Sequence, residues 1–335
     1  MIYAYLFFLA ALFMGACFTW LVRLYALKMN IVNKPNPIVP QHVKPIAYLG
    51  GVGIMTGAII MIVCSYQYDI PFHKLQKPFP SVAPLIAGAI GYLAWGVYDD
   101  LKQLKPLPKF LGQLVLATMC VALGIQTTLF NIGWIDFLFS VFWIVLIVNA
   151  LNFTDVCDGL VGTICVVSFF IIGFLKPELR IFCFLIAGTT AGFLFFNLPR
   201  ASIFLGDAGS HLLGFLIAAI GIFGSQHATA IDAAAWLMLI ASVPLFELLF
   251  ITSVRIKKGL PWWKGSPDHF SLRLQKGGFT RIQINIIAGG ISTLVVSIAC
   301  FFSAFEIWVK VVSLVIIFLM YAVAWKFLLK WEVTK

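Results

Sequence analysis

The sequence predicts an all-α fold, a polytopic membrane bundle of about eleven transmembrane helices, and three observations carry that prediction. First, 61% of the residues are hydrophobic and only 11% are charged, with a mean hydropathy of +1.01. Soluble domains carry about 25% charged residues, so this chain cannot cover a water-facing surface and its main solvent is lipid. Second, apolar runs near the ~20 residues needed to cross a ~30 Å hydrocarbon core recur along the whole chain. Third, lysine and arginine sort onto one side of the bundle that those runs would form.

The runs fall at 3–27, 47–66, 82–98, 110–130, 133–150, 158–175, 179–196, 208–224, 233–254, 282–303 and 307–329. The first lacks a positive leader and is read as a retained span, not a signal peptide. Short polar loops separate the runs, with no repeat, linker or low-complexity stretch, so residues 1–335 are expected to form a single integral-membrane domain. With an odd number of spans, one face collects all the lysines and arginines but five, namely Lys74, Lys77, Lys176, Arg180 and Lys310. The positive-inside rule makes the rich face cytosolic and puts the N-terminus outside. The net charge of +10 is therefore assigned to cytosolic loops and an anionic leaflet. Nucleic acid is excluded as a partner, because no basic stripe lies on a polar helix. The seven cysteines mostly sit inside apolar runs without CxxC or His neighbours. They read as small buried hydrophobes rather than disulfides or zinc ligands.

The chemistry is expected in the cytosolic loops. Asp99, Asp100, Asp155, Asp158, Asp207 and Asp268 all fall there, whereas the outer-face acids are single and scattered. Acids at a membrane boundary are costly unless paired or metal-bound, and their oxygens suit Mg²⁺ when its other partners are phosphates. Asp99 and Asp100 end an apolar run as adjacent carboxylates that raise each other's proton affinity; alone, they could also be a charged helix end. Asn149, Asn152, Asp155 and Asp158 recur at three-residue spacing, which lines one face of a helical turn. Asn197 precedes Phe204-Leu205-Gly206-Asp207-Ala208-Gly209-Ser210, a glycine-flanked aspartate opening a helix where backbone amides approach phosphate, or simply a capped start. The longest loop carries Pro261-Trp262-Trp263, an interfacial anchor, then Asp268-His269 and Arg273. His269 and Arg273 lie four apart and could share one helix face toward an anion. His42 and Lys44, before Gly50-Gly51, form a weaker signal.

In this order the motifs resemble those of the polyprenyl-phosphate N-acetylhexosamine-1-phosphate transferases, which include the phospho-muramoyl-pentapeptide translocases. The residues are Asp99-Asp100, Asn149-x-x-Asn152-Phe153-x-Asp155-x-x-Asp158-Gly159-Leu160, Phe204-Leu205-Gly206-Asp207-x-Gly209-Ser210 and the His269/Arg273 loop. The resemblance runs from His42 to about residue 280. It implies transfer of a sugar-1-phosphate, N-acetylhexosamine-1-phosphate being the expected one, from a UDP-N-acetylhexosamine to undecaprenyl phosphate. UMP is released, and the step initiates cell-envelope polysaccharide synthesis at the cytoplasmic face of a bacterial inner membrane. It further implies Asp207 and Asp158 as Mg²⁺ ligands, with Mn²⁺ as a substitute, and Asp99, Asp100, Asp155, Asp158 and His269 as catalytic residues. Lys109, Asn149, Asn152, Asn197, Arg273, His42 and Lys44 are the implied substrate contacts, and a homodimer is admitted.

The chain departs from the family at three places. Val156-Cys157 stands for a more usual Gly-Leu, and Ala47-Tyr48 for Pro-Arg. A single His269 replaces the histidine cluster of the pentapeptide translocases, which favours a sugar-1-phosphate initiator over phospho-muramoyl-pentapeptide transfer. Of other classes, a secondary transporter would want ionisable residues near the bilayer midplane, and Glu247 is the one clear example. A glycosyltransferase using a lipid-linked sugar would want its acids on the outer face.

Overall fold

The computed structural model describes residues 2–33, 45–67, 82–226 and 228–333. His42 and Lys44 lie outside the described residues. Thirteen α-helices occur among them: α1 Ile2–Lys28, α2 Gly50–Gln67, α3 Val82–Lys102, α4 Pro106–Ala122, α5 Gly133–Thr154, α6 Leu160–Leu175 and α7 Arg180–Asn197, then α8 Gly206–Ser225, α9 Ala230–Ile240, α10 Ser242–Lys257, α11 Phe270–Lys276, α12 Arg281–Phe301 and α13 Ile307–Leu329.

A helix or a helix pair lies at each of the eleven predicted segments. Seven of them, α1, α3, α5, α7, α8, α12 and α13, are long and apolar enough to cross a membrane. The pair α9 and α10, bent by 72°, makes up to eight. The bend has a local cause: Pro244 has no N–H for the Ile240 carbonyl one turn back, so one helix stops there and another sets off. The predicted 110–130 span also shifts. Its helix starts at Pro106, which needs no N–H partner in a first turn, and stops before Gly124, at φ +109°. The all-helical expectation holds, and a short antiparallel ribbon beside the helices pairs Val32 with Ala47 and Asn33 with Ile46. Phe204 N–H then donates to the Ala47 carbonyl at 2.8 Å, tying the ribbon to the segment that enters α8.

Lipid exposure orders the helices. Only 6% of the α13 span is buried, whereas 94% of the α8 span is. α8 is the hub, packed by α3, α5, α2 and α9, while α1 packs on α7 and α2. The seven cysteines are all free, five of them buried. Close packing around α8 depends on missing side chains. A Cβ on Gly51 would stand 2.4 Å from Gly209 Cα, and one on Gly96 2.4 Å from the Asp207 carbonyl oxygen. The ends of α2 and α3 can therefore reach the first turn of α8.

Candidate active site

The site grows from that contact. Because Gly96 lets α3 lie against α8, the carboxylate of Asp100 reaches the first turn of α8. Its Oδ1 accepts the Asp207 N–H at 2.8 Å and its Oδ2 the Ala208 N–H at 3.0 Å. A carboxylate from another helix thus satisfies two orphan amides and faces the positive end of the α8 dipole. Gly206 is required here on two counts. Its φ is +75°, and a Cβ would stand 2.6 Å from Asp100 Oδ2.

Asp99 turns the other way. Its Oδ1 accepts the Leu104 N–H at 2.8 Å and its Oδ2 lies 2.8 Å from Lys109 Nζ. That ammonium also reaches Asp207 Oδ1 at 3.0 Å and Asn152 Oδ1 at 3.2 Å. Three donors thus meet three oxygens. Asn152 Nδ2 in turn donates to Asp207 Oδ1 and, at 3.0 Å, to Ser210 Oγ. A second polar layer lies one turn deeper. Gln113 Nε2 stands 3.1 Å from His211 Nε2, Asn149 Nδ2 donates to Gln113 Oε1 at 2.6 Å, and Tyr92 OH donates to the Gln113 carbonyl at 2.9 Å. The helical period produces both layers: Lys109 and Gln113, like Asp207 and His211, are four apart, and Asn149 and Asn152 are three apart.

Two cavities meet at the upper layer. One, of about 260 Å³, is polar, lined by Asn33, Tyr48, Asp100, Asn152, Asp155, Asp158, Asn197 and Asp207. The other, of about 710 Å³, is mainly apolar, lined by Leu104, Pro106, Leu107, Phe110, Phe153, Trp262 and Trp263, with Lys109, Asn149 and Asn152 in its wall. Asn152 belongs to both, and the ion pair between Lys109 and Asp207 joins them. Arg255 fixes the tryptophan side of the apolar cavity. Its guanidinium lies 5.2 Å from the Phe153 ring centre and donates to the Trp262 carbonyl at 2.8 Å.

The remaining predicted residues divide. Asp155 lies in the turn after α5, where its burial and the neighbouring Asp207 and Asp158 carboxylates push its pKa up to about 8. Asp158 is held by Arg281 and by the Ala201 N–H at 3.3 Å. Asn197 uses its whole amide on backbone: Oδ1 accepts the Gly159 N–H at 2.9 Å and Nδ2 donates to the Ile203 carbonyl at 2.8 Å. It is a staple between two loops at the edge of the polar cavity.

His269 and Arg273 pair with other carboxylates than those of this layer, and neither lines either of the two cavities. His269 Nδ1 lies 2.6 Å from Glu247 Oε1, and Glu247 Oε2 accepts the Phe270 N–H at 3.1 Å. Arg273 pairs with Asp268 at 2.7 Å, donates to the Leu328 carbonyl at 3.2 Å and covers the Phe250 ring. Their shared face points at α10 and α13. Glu247, the acid set deepest in a predicted span, is explained by this pairing with His269. Conversely, His211, Gln113, Asn33 and Arg281 enter the site without having been singled out, and Tyr48, noted only as a departure, lines the polar cavity. The i, i+4 partners of Lys109 and Asp207 would have found the first two.

The effect of Asp155 on stability has a definite sign. A carboxyl whose pKa is raised on folding stabilises the fold below its unfolded value, near 4, and loses that contribution as pH climbs to about 8. In EDTA, the melting temperature of Asp155→Asn should therefore gain on wild type steadily between pH 4 and pH 8. Parallel melting curves across that range would refute the assignment.

Fold and site together define a multi-pass membrane protein with a carboxylate-rich polar centre set against an apolar cavity. Residues 82–225, from α3 to the end of α8, match the model of glycosyl transferase family 4. The chain is 28% identical over 295 residues to a probable undecaprenyl-phosphate N-acetylglucosaminyl 1-phosphate transferase of Bacillus subtilis, covering 84% of this chain and 80% of that one. It is 26% identical over 336 residues to the undecaprenyl-phosphate alpha-N-acetylglucosaminyl 1-phosphate transferase of Escherichia coli K12, covering 92% and 88%. With the decaprenyl-phosphate N-acetylglucosaminephosphotransferase of Mycobacterium tuberculosis, identity is 27% over 302 residues, covering 79% and 74%. From α3 to the end of α8 the chain is thus similar to glycosyl transferase family 4.

Proposed function

We propose that this protein transfers N-acetylhexosamine-1-phosphate from a UDP-sugar to undecaprenyl phosphate, releasing UMP, as the first committed step of a cell-envelope polysaccharide. One observation carries the reading: a polar cavity and an apolar cavity converge on a single layer of Lys109, Asp207 and Asn152. A nucleotide diphosphate suits the first cavity and a polyprenyl chain the second, so their phosphates meet at Lys109.

The chemistry needs little beyond positioning and charge screening. An oxygen of the lipid phosphate attacks the phosphorus that carries the sugar, and the bond from that phosphorus to the UMP oxygen breaks. The lipid phosphate is already ionised at neutral pH, so direct displacement needs no strong base. Asp99 and Asp100 accordingly act as holders: Asp99 keeps Lys109 in place, and Asp100 keeps the first turn of α8. Lys109 screens the approaching phosphates, and Asn152 bridges the two cavities.

The donor set fits Mg²⁺, with Mn²⁺ as a substitute. Asp207, Asp155, Asp158 and Asn152 offer hard oxygens in one polar cavity, where substrate phosphates would supply other ligands. Asp207 and Asp158 would hold the ion, which when bound neutralises charge on the diphosphate. We further infer that all eleven segments cross the bacterial inner membrane, with the N-terminus outside and the site facing the cytoplasm. The support is that Lys102, Lys105, Lys257 and Lys264 flank the helix ends that carry the cavities.

Membrane vesicles test both readings at once, because UDP-sugars do not cross a bilayer. Inside-out vesicles given undecaprenyl phosphate, labelled UDP-N-acetylglucosamine or UDP-N-acetylgalactosamine, and Mg²⁺ should form a labelled diphospho-lipid and release UMP, and EDTA should stop the reaction. Absence of lipid product from every UDP-sugar would defeat the function, and equal activity in sealed right-side-out vesicles would defeat the orientation.

A further inference from the structure

The deeper polar layer holds a group that the proposed reaction does not use. His211 is 0% exposed. Its Nε2 faces Gln113, and its Nδ1 has no hydrogen-bond partner among the described residues. A ring nitrogen sealed away from water without a partner is rare. One ligand atom from each of Asp99, Asp207 and His211 falls within 4.8 Å of the others, close enough for a single cation to touch all three. The Lys109 ammonium now stands against both carboxylates, 2.8 Å from one and 3.0 Å from the other, so a cation entering there takes its place and frees it toward the substrate phosphates.

We propose that Asp99, Asp207 and His211 form a mixed nitrogen and oxygen site for a divalent cation, and that His211 tilts its preference from Mg²⁺ toward Mn²⁺. The inference rests on the reading of Asp207 as a metal ligand, takes Asp99 rather than Asp158 as the second carboxylate, and adds a nitrogen donor and a metal preference. Carboxylates alone serve Mg²⁺ well, whereas an imidazole favours first-row transition metals. Around a ligating histidine, the other ring nitrogen usually donates to an oxygen that fixes the ring. Gln113 is placed for that role, with Tyr92 holding its carbonyl. Coordination through Nδ1 puts the ring proton on Nε2, and the Gln113 amide turns its oxygen to accept it. Asn149 then turns as well, giving up its bond to the Val145 carbonyl.

The test uses the full chain in detergent, stripped with EDTA and titrated with Mn²⁺ alone. Bound Mn²⁺ should show imidazole ¹⁴N coupling by pulsed electron paramagnetic resonance. His211→Leu should lose that coupling and bind Mn²⁺ about tenfold more weakly, with Mg²⁺ affinity little changed. His211→Gln keeps a polar group beside Gln113 and should lose the coupling too, which guards against a folding defect in the leucine variant. Bound Mn²⁺ without nitrogen coupling, or coupling that survives both substitutions, would overturn the nitrogen ligand alone. Failure of the wild type to bind Mn²⁺, or undiminished binding by Asp207→Ala, would overturn the Asp207 assignment beneath it.

Discussion

Asp207→Ala should lower the transfer rate by about 10³-fold or more, the scale seen when a preorganised charge at a reacting phosphate or oxyanion is removed. Asp207 is the residue on which both cavities depend. It borders the polar one, touches Lys109 at 3.0 Å, and shares its Oδ1 with Asn152, which lines both. Deleting its carboxylate removes a cation ligand and frees Lys109 and Asn152 to shift. The fold should survive, because the Asp207 contact that secures α8 is a backbone N–H given to Asp100. Asp207→Asn sharpens the reading: it keeps the size and loses the charge, so it should be nearly as inactive. Initial rates at saturating UDP-sugar and lipid, on protein that elutes as a single species with a near-normal melting temperature, decide the matter. Mg²⁺-dependent turnover within a few-fold of wild type in either variant would sink the assignment.

The lipid solvent made much of the fold legible. Every apolar run had to satisfy its backbone internally, and helices were the only form open to it, so a helix or helix pair lies at each predicted segment. The kink between α9 and α10 was readable in principle from Pro244, but an uninterrupted apolar run hid it. In the site, Asp99, Asp100, Lys109, Asn152 and Asp207 converge, because they lie at or near the ends of α3, α4, α5 and α8, with α3 and α5 packed on α8 and α4 packed on α3 and α5. His269 and Arg273 show the limit of spacing arguments. Residues four apart share a face, but the sequence does not say which neighbour that face meets, and here it meets Glu247 and α13. Asn197 lines the polar cavity but spends its amide on backbone. An amide beside an acidic loop looks like a ligand contact, yet an unpaired backbone N–H and a carbonyl nearby had first claim on it. His211 was passed over because a buried histidine on an apolar helix looks like core, and only the facing side chains of α4 and α5 reveal the layer it joins.

Asp100→Asn should reduce turnover by about 10²-fold and lower the melting temperature as well, and that combination separates a positioning role from a basic one. The carboxylate accepts two backbone N–H groups, from Asp207 and Ala208. An asparagine keeps one acceptor and turns an NH₂ against the other N–H, so a donor faces a donor in a half-buried place. Such a mismatch costs about 1–3 kcal/mol, and the lost charge also removes a favourable partner for the α8 dipole. The first turn of α8 then loosens, Asp207 moves, and a displacement of an ångström is enough to account for the rate. If Asp100 instead served as a proton acceptor, the variant would keep its melting temperature, and the acid limb of its rate against pH profile would disappear. A positioning role leaves the profile's shape intact, drops kcat more than it raises KM for the UDP-sugar, and moves the melting point. Gly206→Ala should produce a related defect from the other side of the same contact, since its Cβ would press on Asp100 Oδ2 from 2.6 Å.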